Sequence, residues 1–449
     1  MSLARPRLLV VGNGMAANRL ISQLQVLADD RFNIMVIGQE REPAYNRILL
    51  TPWLNGEIEQ RELALQSADW YTRHGIAMHT GDAVTSLDLG NRNVHCQSGT
   101  EFSWDLLVLA TGSQALIPPI PGHDLDGVMC LRTQQDAIKL KTHCLDSNRA
   151  HKHVLVMGGG VLGLEAACSL NALGVTVTVV HRDAWLMNRQ LDEESGLRLA
   201  GEIRARGIAV YTGMQCSRLL SDTRDSAQLT AAELVGASAD SSPAPVTIPC
   251  DTAVLAIGIK PEITLAQTAG LRCERAIVVD GWLRSSQTGV FALGECCQIN
   301  QELFGLVAPV YQQADVLAAL LASGQWHRTK PSVKPWVAQT LATKLKVAGL
   351  DVCSVGMLPS SSDASEQRSL IWRDPVRQHY RRLWLHDNVV KAAVAIGDIR
   401  GVSELAPAID DAKSPTDPLS VLLASEMDDS LFQVADTRTQ SLSTAGCAA

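Results

Sequence analysis

Hydrophobic and polar positions follow a pattern of strand, glycine turn and helix at the start of the chain. Residues 7–11 are a short run of leucine and valine that reaches Gly12. From Ala17 onward the apolar positions fall three to four residues apart, which predicts an amphipathic helix. A second apolar run at residues 33–37 completes a strand–helix–strand unit of about 30 residues, the usual form of a parallel pair.

The same pattern returns in the second third of the chain. Residues 154–157 predict a strand, glycines follow at 158–160 and 163, and a helix is expected to end near Gly174. The apolar run at 175–180 then predicts the next strand. The fold is therefore expected to use this unit twice.

Between and after these units, shorter patterns predict how the chain crosses between domains. Residues 105–113 predict a buried strand that runs into a glycine turn, and the prolines within 117–122 exclude a continuing helix or central strand. A crossing near residues 114–150 follows from this, and 252–262 and 290–297 predict crossings back. The polar stretch within 218–250 predicts a hairpin loop of the second domain.

The last quarter of the chain has a different pattern. From about residue 330 it consists of short strand-like runs, at 369–373, 381–386 and 389–397, which predict a small and largely β domain. From Ser414 the chain is rich in Ser, Thr, Asp and Ala, with a helical patch at 419–424, so a partly disordered tail is expected.

Composition and charge narrow the class of protein. The 449 residues suggest two to four domains, and 46% hydrophobic with 19% charged residues supports packed cores. A net charge of -8 argues against a nucleic-acid partner, and no apolar run is long enough for a membrane span or a signal peptide. The eleven cysteines form no CxxC pair, and the histidines show no metal spacing, so no metal site is predicted. Free thiols indicate a reducing compartment, hence a cytoplasmic protein.

The first glycine turn carries a recognisable chemistry. Gly12 to Ala17 spell GxGxxA directly after a strand and at the start of a helix, where the helix N-terminus and glycine backbone can approach a pyrophosphate. The acidic residue expected at the end of the next strand, where it would bind a ribose hydroxyl, is Glu40, with Gln39 as the alternative. A tight turn without a ligand is the competing interpretation.

The second glycine turn, residues 158–163, is a full GxGxxG, and two such sites in one chain are more specific than one. The strand after its helix reaches His181 and Arg182 instead of an acidic residue. A cation there can accommodate a 2'-phosphate, so NADPH is expected to serve at least as well as NADH. The alternative is that both side chains lie in solvent and select nothing.

These motifs resemble the two-dinucleotide flavoprotein reductases, arranged as in glutathione reductase, and most of all the N-terminal flavin module of bacterial NAD(P)H nitrite reductases. The segments that carry the resemblance span about residues 7–400. They are VVGNGMAA (10–17), PAYNR (43–47), LATGS (109–113), VMGGGVLGLEAA (156–167), WLMNRQLD (185–192), ALGECC (292–297), FGLVAPVY (304–311) and TKLKVAGLDVCSVG (343–356).

The resemblance implies an α/β fold with two Rossmann-like dinucleotide-binding domains, the FAD domain being split around an inserted NAD(P)H domain, plus a small, largely β C-terminal domain. The expected boundaries are 1–115 and 266–328 for the FAD domain, 116–265 for the NAD(P)H domain, 329–402 for the C-terminal domain and 403–449 for the tail.

The motifs and the resemblance together assign residues to two cofactors. The FAD site is expected to comprise Gly12, Gly14, Met15, Ala16, Ala17, Gln39, Glu40, Arg47, Val84, Ala110, Thr111, Gly112, Gly294, Glu295 and Val307. The NAD(P)H site is expected to comprise Gly158, Gly160, Val161, Leu162, Gly163, Glu165, His181, Arg182 and Gly258. Glu165, which the resemblance places near the nicotinamide and the flavin, is the one candidate catalytic side chain.

Cysteine placement separates possible relatives. Disulfide reductases of this fold need a thiol beside the flavin, and residues 40–60 contain no cysteine, which argues against a thiol relay. Cys296 and Cys297 are interpreted as packing residues at a buried strand end.

The resemblance implies hydride transfer from nicotinamide C4 to flavin N5, followed by electron release to a separate protein acceptor. The leading hypothesis is an NAD(P)H:acceptor reductase that serves nitrite or nitrate assimilation. The iron–sulfur and siroheme domains of full nitrite reductases are not among these residues, so the chain is not expected to reduce nitrite by itself. The alternatives are a rubredoxin- or ferredoxin-type reductase, and an FAD-holding NAD(P)H sensor without significant turnover.

Overall fold

The computed structural model of the chain describes residues 5–146, 152–222, 225–238, 244–347, 349–359 and 368–433. They form three units: a first unit (residues 5–115 and 264–323), a middle unit (128–261) and a C-terminal unit (342–433). No helix among the described residues is long and apolar enough to span a membrane.

The first unit is built on a five-stranded parallel sheet, in the order β19-β7-β1-β2-β3. Its elements before the middle unit are β1 (Arg7–Val11), α1 (Met15–Ala28), β2 (Asn33–Gly38), α2 (Leu50–Leu54), α3 (Ala68–Arg73), β3 (Ala77–Thr80), β4 (Val84–Asp88), β5 (Asn93–Cys96), β6 (Glu101–Ser103), β7 (Leu106–Leu109) and β8 (Ser113–Ala115). Strands β4, β5 and β6 form a small antiparallel sheet of their own.

The middle unit repeats the arrangement with a parallel sheet in the order β12-β11-β10-β16-β9. Its elements are β9 (Val128–Cys130), α4 (Gln134–Leu145), β10 (His153–Met157), α5 (Val161–Ala172), β11 (Thr176–His181), α6 (Glu193–Ala205), β12 (Ala209–Thr212), β13 (Met214–Asp222), β14 (Asp225–Gly236), β15 (Val246–Pro249), β16 (Thr252–Leu255) and β17 (Ile259–Pro261). Strands β13 to β15 form a three-stranded antiparallel sheet. The polar stretch predicted as a hairpin loop joins the antiparallel strands β14 and β15, and its residues 239–243 lie outside the described residues.

The chain then returns to the first unit. The returning elements are α7 (Thr264–Thr268), β18 (Ile277–Val278), β19 (Val290–Ala292), β20 (Cys297–Ile299), β21 (Glu302–Leu303) and α8 (Val307–Ser323). Strand β19 pairs with β7 in parallel, so segments on both sides of the middle unit share one sheet. Residues of α8 belong to the same apolar core as α1 and the central strands. Burial of their apolar side chains stabilises the packing of this returning segment on the first unit.

The C-terminal unit is a five-stranded antiparallel sheet in the order β22-β23-β26-β25-β24. Its elements are β22 (Ala342–Val347), β23 (Leu350–Gly356), β24 (Arg368–Asp374), β25 (His379–His386), β26 (Val389–Ile396), α9 (Ala406–Asp410) and α10 (Pro418–Leu423). Val352, Trp384 and Val394 of the sheet belong to one apolar cluster with the helices of the middle unit.

The predicted tail begins inside this unit. Val421, Leu422 and Phe432 are buried in an apolar cluster with strands of the C-terminal sheet. Arg381, which is only 3% exposed, donates hydrogen bonds to the carbonyl oxygens of Leu422 and Ala424, at 3.1 and 2.9 Å. Residues 403–433 are therefore packed on the sheet, and residues 434–449 lie outside the described residues. The domain boundaries stay predictions.

Candidate functional site

The first glycine loop lies at the carboxyl end of β1 and is shaped by contacts with the neighbouring strands. The N–H of Gly12 donates to the Ile37 carbonyl at 2.8 Å, and a Cβ at Gly12 would come within 2.1 Å of the Ala110 oxygen. A Cβ at Gly14 would meet no atom within 4 Å, because this residue faces open space. Gly14 is the N-cap residue of α1, a helix with neither a side-chain cap nor an acidic residue in its first turn. Its free N–H groups are therefore available to an anion.

Glu40 stands two residues after β2 and is held by two neighbours. Its carboxylate accepts hydrogen bonds from the Tyr45 hydroxyl and the Arg47 guanidinium, each at 2.6 Å. The Tyr45 hydroxyl also accepts the backbone N–H of Gln134, at 3.0 Å. The predicted residues Glu40 and Arg47 are thus brought together, and Gln39 is exposed beside them.

Val84, the residue predicted near the adenine, opens β4 after a loop fastened by Asp82. The Asp82 carboxylate accepts from the Ser98 backbone and hydroxyl and contacts His79 Nε2 at 2.8 Å. With Cys96, His79 and Asp82 form a group whose ligand atoms lie within 4.8 Å of one another among the described residues. Because Asp82 makes these three hydrogen bonds to neighbouring residues, the group is explained as a contact that holds the loop in place.

Glu295 lies three residues after the end of β19. Its hydrogen-bonding partner was not predicted from the sequence. The Arg132 guanidinium contacts the Glu295 carboxylate directly and donates to the Ser113 hydroxyl at 2.7 Å, and that hydroxyl donates to Glu295 at 2.6 Å. Arg132 comes from the segment between β9 and α4, 163 residues before Glu295. No local pattern in the sequence links residues so far apart.

The second glycine loop repeats the first. The N–H of Gly158 donates to the Val180 carbonyl at 2.8 Å, and a Cβ at Gly158 would lie 2.3 Å from the Ala256 oxygen. A Cβ at Gly160 would meet nothing within 4 Å. Gly160 is the N-cap residue of α5, which also lacks a side-chain cap and acidic residues in its first turn. The loop therefore offers a second anion site of the same kind.

At the end of β11 the two predicted cations have different surroundings. His181 Nδ1 accepts the Gly159 backbone N–H at 3.1 Å, and burial lowers the pKa of this histidine, so its ring is neutral near pH 7. The Arg182 side chain is 71% exposed and lies 4.0 Å from the Asp183 carboxylate. Arg182 is therefore the cation of the pair that is free to meet a ligand, and Asp183 is a competing acid that sequence reasoning missed.

Glu165 lies on α5, one turn into the helix. Burial raises its pKa from 4.5 to about 7, because the charged carboxylate loses hydration. A carboxyl group with this pKa can hold or release a proton at neutral pH.

One cleft of about 2280 Å³ contains both glycine loops. Nearly every predicted site residue lines it. Those that do are Gly12, Gly14, Met15, Ala16, Gln39, Glu40, Arg47, Val84, Ala110, Thr111, Gly112, Gly158, Gly160, Val161, Leu162, Glu165, His181, Arg182, Gly258, Gly294, Glu295 and Val307. Ala17 and Gly163 do not line the cleft: Ala17 is buried, and a Cβ at Gly163 would lie 2.0 Å from the Gly158 oxygen.

The residues present fit two dinucleotides. Open glycines at positions 14 and 160 leave room for close backbone approach, and each stands at an uncapped helix N-terminus. The buried Asn13 Oδ1 in the first loop has no hydrogen-bond partner, which leaves it available to a ligand. The cleft is continuous between the loops, so groups bound at the two loops can meet inside it.

The adjacent thiols lie outside this chemistry. Cys296 and Cys297 are fully buried, and burial raises the pKa of both. Their sulfurs contact backbone carbonyls of Leu293 and Gly294, both at 3.3 Å. A thiol in this environment is a poor nucleophile.

The family model for pyridine nucleotide-disulphide oxidoreductases matches residues 6–316. The chain belongs to this family. A second model, for the C-terminal domain of rubredoxin NAD+ reductase, matches residues 342–413. The prediction of an oxidoreductase with two dinucleotide-binding domains and a small β domain is confirmed, and so is the use of FAD and NAD(P)H.

Named relatives agree with the resemblance. The chain is 33% identical to a nitrite reductase [NAD(P)H] of Bacillus subtilis (strain 168), covering 88% of this chain and 46% of that protein. It is also 33% identical to the assimilatory nitrate reductase electron transfer subunit of the same organism, covering 90% and 49%. The chain thus spans about half the length of these curated relatives. A solved NADH:rubredoxin oxidoreductase from Clostridium acetobutylicum has the same fold, with a TM-score of 0.72 at 23% identity, covering 93% of this chain and 99% of that one.

Proposed function

We propose that the protein is an FAD-dependent NAD(P)H:acceptor oxidoreductase that passes electrons to a separate redox protein. The observation that carries the proposal is the single cleft that both glycine loops and Glu165 line. When bound, FAD would accept a hydride from the nicotinamide and release the electrons to the acceptor.

The chain's own residues would bind and orient the FAD. The backbone N–H groups at Gly14 and the first turn of α1 would hold the pyrophosphate, with Glu40 and Arg47 beside the adenosine. The Arg132–Glu295 pair would hold the ribityl side, and α8, which begins at Val307 without a side-chain cap, would face the ring. Aligned dipoles of this kind favour negative charge at their N-terminal end.

The second loop would hold the nicotinamide dinucleotide. Gly160 and the first turn of α5 would bind its pyrophosphate, and Arg182 would read a 2'-phosphate where one is present. Glu165, with a pKa of about 7, would hold a proton beside the nicotinamide at neutral pH. Because the cofactors supply the redox chemistry, alignment is the main task of these side chains.

For the acceptor, we propose a protein component of nitrite or nitrate assimilation. The similarity to a nitrite reductase and to a nitrate reductase electron transfer subunit supports this choice. A rubredoxin- or ferredoxin-type acceptor is the second candidate, favoured by the match of residues 342–413 to the rubredoxin NAD+ reductase C-terminal domain. We also propose a cytoplasmic location, because buried cysteines such as Cys250, Cys297 and Cys353 are thiols, as expected in a reducing compartment.

The test uses the purified full chain. We expect about one FAD per chain and NADH- or NADPH-dependent reduction of an artificial dye. Bound FAD and nucleotide without dye reduction would support the sensor alternative, and protein without FAD would contradict the proposal.

The acceptor is tested by comparing rates with a purified siroheme nitrite reductase, a molybdenum nitrate reductase, a rubredoxin and a ferredoxin. A rate with either assimilatory enzyme well above those with the small redox proteins supports the first candidate. The reverse order supports the second.

A further inference from the structure

Residues 187–192, the nucleotide lip, connect the second glycine loop to the C-terminal unit. Met187 to Gln190 line the cleft, and the lip begins with the Met187 N–H, which donates to the Gly159 carbonyl at 2.9 Å. The N–H groups of Gln190 and Leu191 both donate to the Met187 carbonyl at 2.8 Å, which closes the segment into a tight turn. A displacement at the C-terminal end of the lip would therefore also move the second glycine loop.

The lip ends at Asp192, and the carboxylate of this residue has three partners. It accepts the Ser195 N–H at 3.3 Å as the N-cap of α6, and its Oδ2 accepts the Tyr380 hydroxyl and the Arg382 guanidinium, each at 2.8 Å. Asp192 is 9% exposed, and Tyr380 is completely buried. Two side chains of β25 thus hold the residue that ends the lip.

Further partners of Arg382 restrict the motion of its side chain in the contact with Asp192. Arg382 also donates to the Ser369 hydroxyl at 3.1 and 3.3 Å, and its guanidinium lies 4.7 Å from the centre of the Trp384 ring. Charge-assisted hydrogen bonds to several partners orient the groups they join, and these are partly buried. The C-terminal sheet therefore presents a preformed receptor to Asp192.

A second ion pair joins the same two units without touching the lip. Arg373 on β24 donates to both Glu194 oxygens, at 2.7 and 2.6 Å, and this arginine lowers the pKa of Glu194 to about 2. Glu194 lies inside α6, past the N-cap. Arg373 also lies over the Tyr380 ring, 6.0 Å from its centre. Its replacement therefore removes a docking contact on the same strand face but leaves the hydrogen bonds of Asp192 in place.

We propose that Asp192, held by Tyr380 and Arg382, is a positioning residue through which the C-terminal unit sets the shape of the nucleotide lip and the affinity of the cleft for a nicotinamide dinucleotide. The inference rests on the proposed function, which assigns the nucleotide to the second glycine loop. It gives the C-terminal unit a role in donor binding, in addition to packing.

The test measures the dissociation constant for NAD+ and NADP+ by calorimetry, and KM and kcat for dye reduction with NADH and NADPH, in the FAD-loaded full chain. Arg382→Gln and Tyr380→Phe should each weaken nucleotide binding and raise KM, and the double variant should do so by about tenfold, a usual size for coupling between sites. The kcat at saturation and the FAD content should stay as in the wild type. Arg382→Lys should recover most of the affinity because it restores the charge.

Arg373→Gln is the control and should leave the dissociation constant and KM unchanged. Asp192→Asn keeps a good helix N-cap while removing the negative charge. Thermal unfolding checks that each variant is folded. An unchanged dissociation constant in folded Arg382→Gln, or an equal loss in Arg373→Gln, would overturn the inference and leave the proposed function intact. A wild type that binds neither nucleotide would overturn both.

Discussion

Gly12 and Gly14 stand two residues apart and meet different constraints. Gly12 has a φ of 107° and no room for a Cβ, so it is required by the fold. Gly14 has a φ of -100°, which any residue adopts, and open space where a Cβ would be. We therefore attribute the glycine at position 14 to the proposed dinucleotide, so the two positions should separate effects on folding from effects on binding.

Gly14→Val should give folded, colourless protein, because the added side chain fills the space where the pyrophosphate would approach the backbone. FAD per chain and thermal unfolding are the measurements. Gly12→Ala is the comparison and should lower the free energy of unfolding by about 1–3 kcal/mol or more, since the residue is strained at positive φ and clashes with Ala110. A yellow Gly14→Val protein with full FAD content would contradict the assignment of this loop.

Glu165→Gln should change how stability depends on pH. The raised pKa of Glu165 means that the folded state binds a proton more tightly than the unfolded state, so its contribution is present below about pH 4.5 and is lost as pH rises through about 7. Relative to the wild type, the variant should gain about 1–3 kcal/mol of unfolding free energy between pH 5 and pH 8. Denaturant unfolding of nucleotide-free protein at several pH values measures this, and parallel curves would show that Glu165 titrates normally.

Arg182 and Asp183 should determine the choice of donor between them. Arg182→Ala should lose about 1.5–3 kcal/mol in the specificity constant with NADPH, the range of a charge-assisted hydrogen bond, and little with NADH. Asp183→Asn should shift preference toward NADPH, because it removes a carboxylate 4.0 Å from that guanidinium. Equal changes with both nucleotides would show that neither side chain reads the 2'-phosphate.

At the scale of elements, local sequence patterns predicted the strands and helices that depend on local contacts. The strands predicted at residues 7–11 and 154–157 are β1 and β10, and each following helix begins inside its glycine motif, at Met15 and at Val161. Periodicity and glycine placement suffice there because they reflect contacts within about 30 residues. The run at 389–397 likewise became β26, in an antiparallel sheet.

The contacts that were not predicted join residues that are far apart in the sequence. Arg132 meets Glu295 across 163 residues, and Asp192 meets Arg382 across 190. Pairs of this kind are set by how whole units pack, and no periodicity encodes them. The hairpin loop predicted within 218–250 does join the antiparallel strands β14 and β15. The individual strands were not predicted, and register shifts between β13 and β14 break the alternation of apolar positions there.

The segment before α4 gives a prediction at this scale. Arg132→Leu should lower the FAD content, because it leaves the Glu295 carboxylate without its cation. Breaking a fully buried ion pair costs about 3–5 kcal/mol of unfolding free energy. The loss here should be smaller, since both side chains are about one fifth exposed. Arg132→Lys should retain most of the FAD. Equal FAD content in all three proteins, measured by absorbance after gel filtration, would show that the pair only joins the units.

For the whole molecule, the arrangement places two dinucleotide sites in one cleft and a third unit against the second of them. The first and middle units meet at this cleft, and the C-terminal sheet contacts the middle unit through buried apolar and ionic contacts. The resemblance to flavoprotein reductases predicted this composition of units. The contact between the C-terminal unit and the nucleotide lip became visible only in the folded chain.

The central claim is that a nicotinamide dinucleotide on the second loop reduces FAD on the first. The direct measurement mixes FAD-loaded protein with NADH or NADPH without oxygen and follows the visible flavin absorbance. We expect the wild type to lose that absorbance with about one equivalent of nucleotide. Gly160→Val, whose side chain enters open space in the second loop, should keep its FAD and remain oxidised. Unchanged absorbance in the wild type, or equally fast reduction of Gly160→Val, would contradict the account.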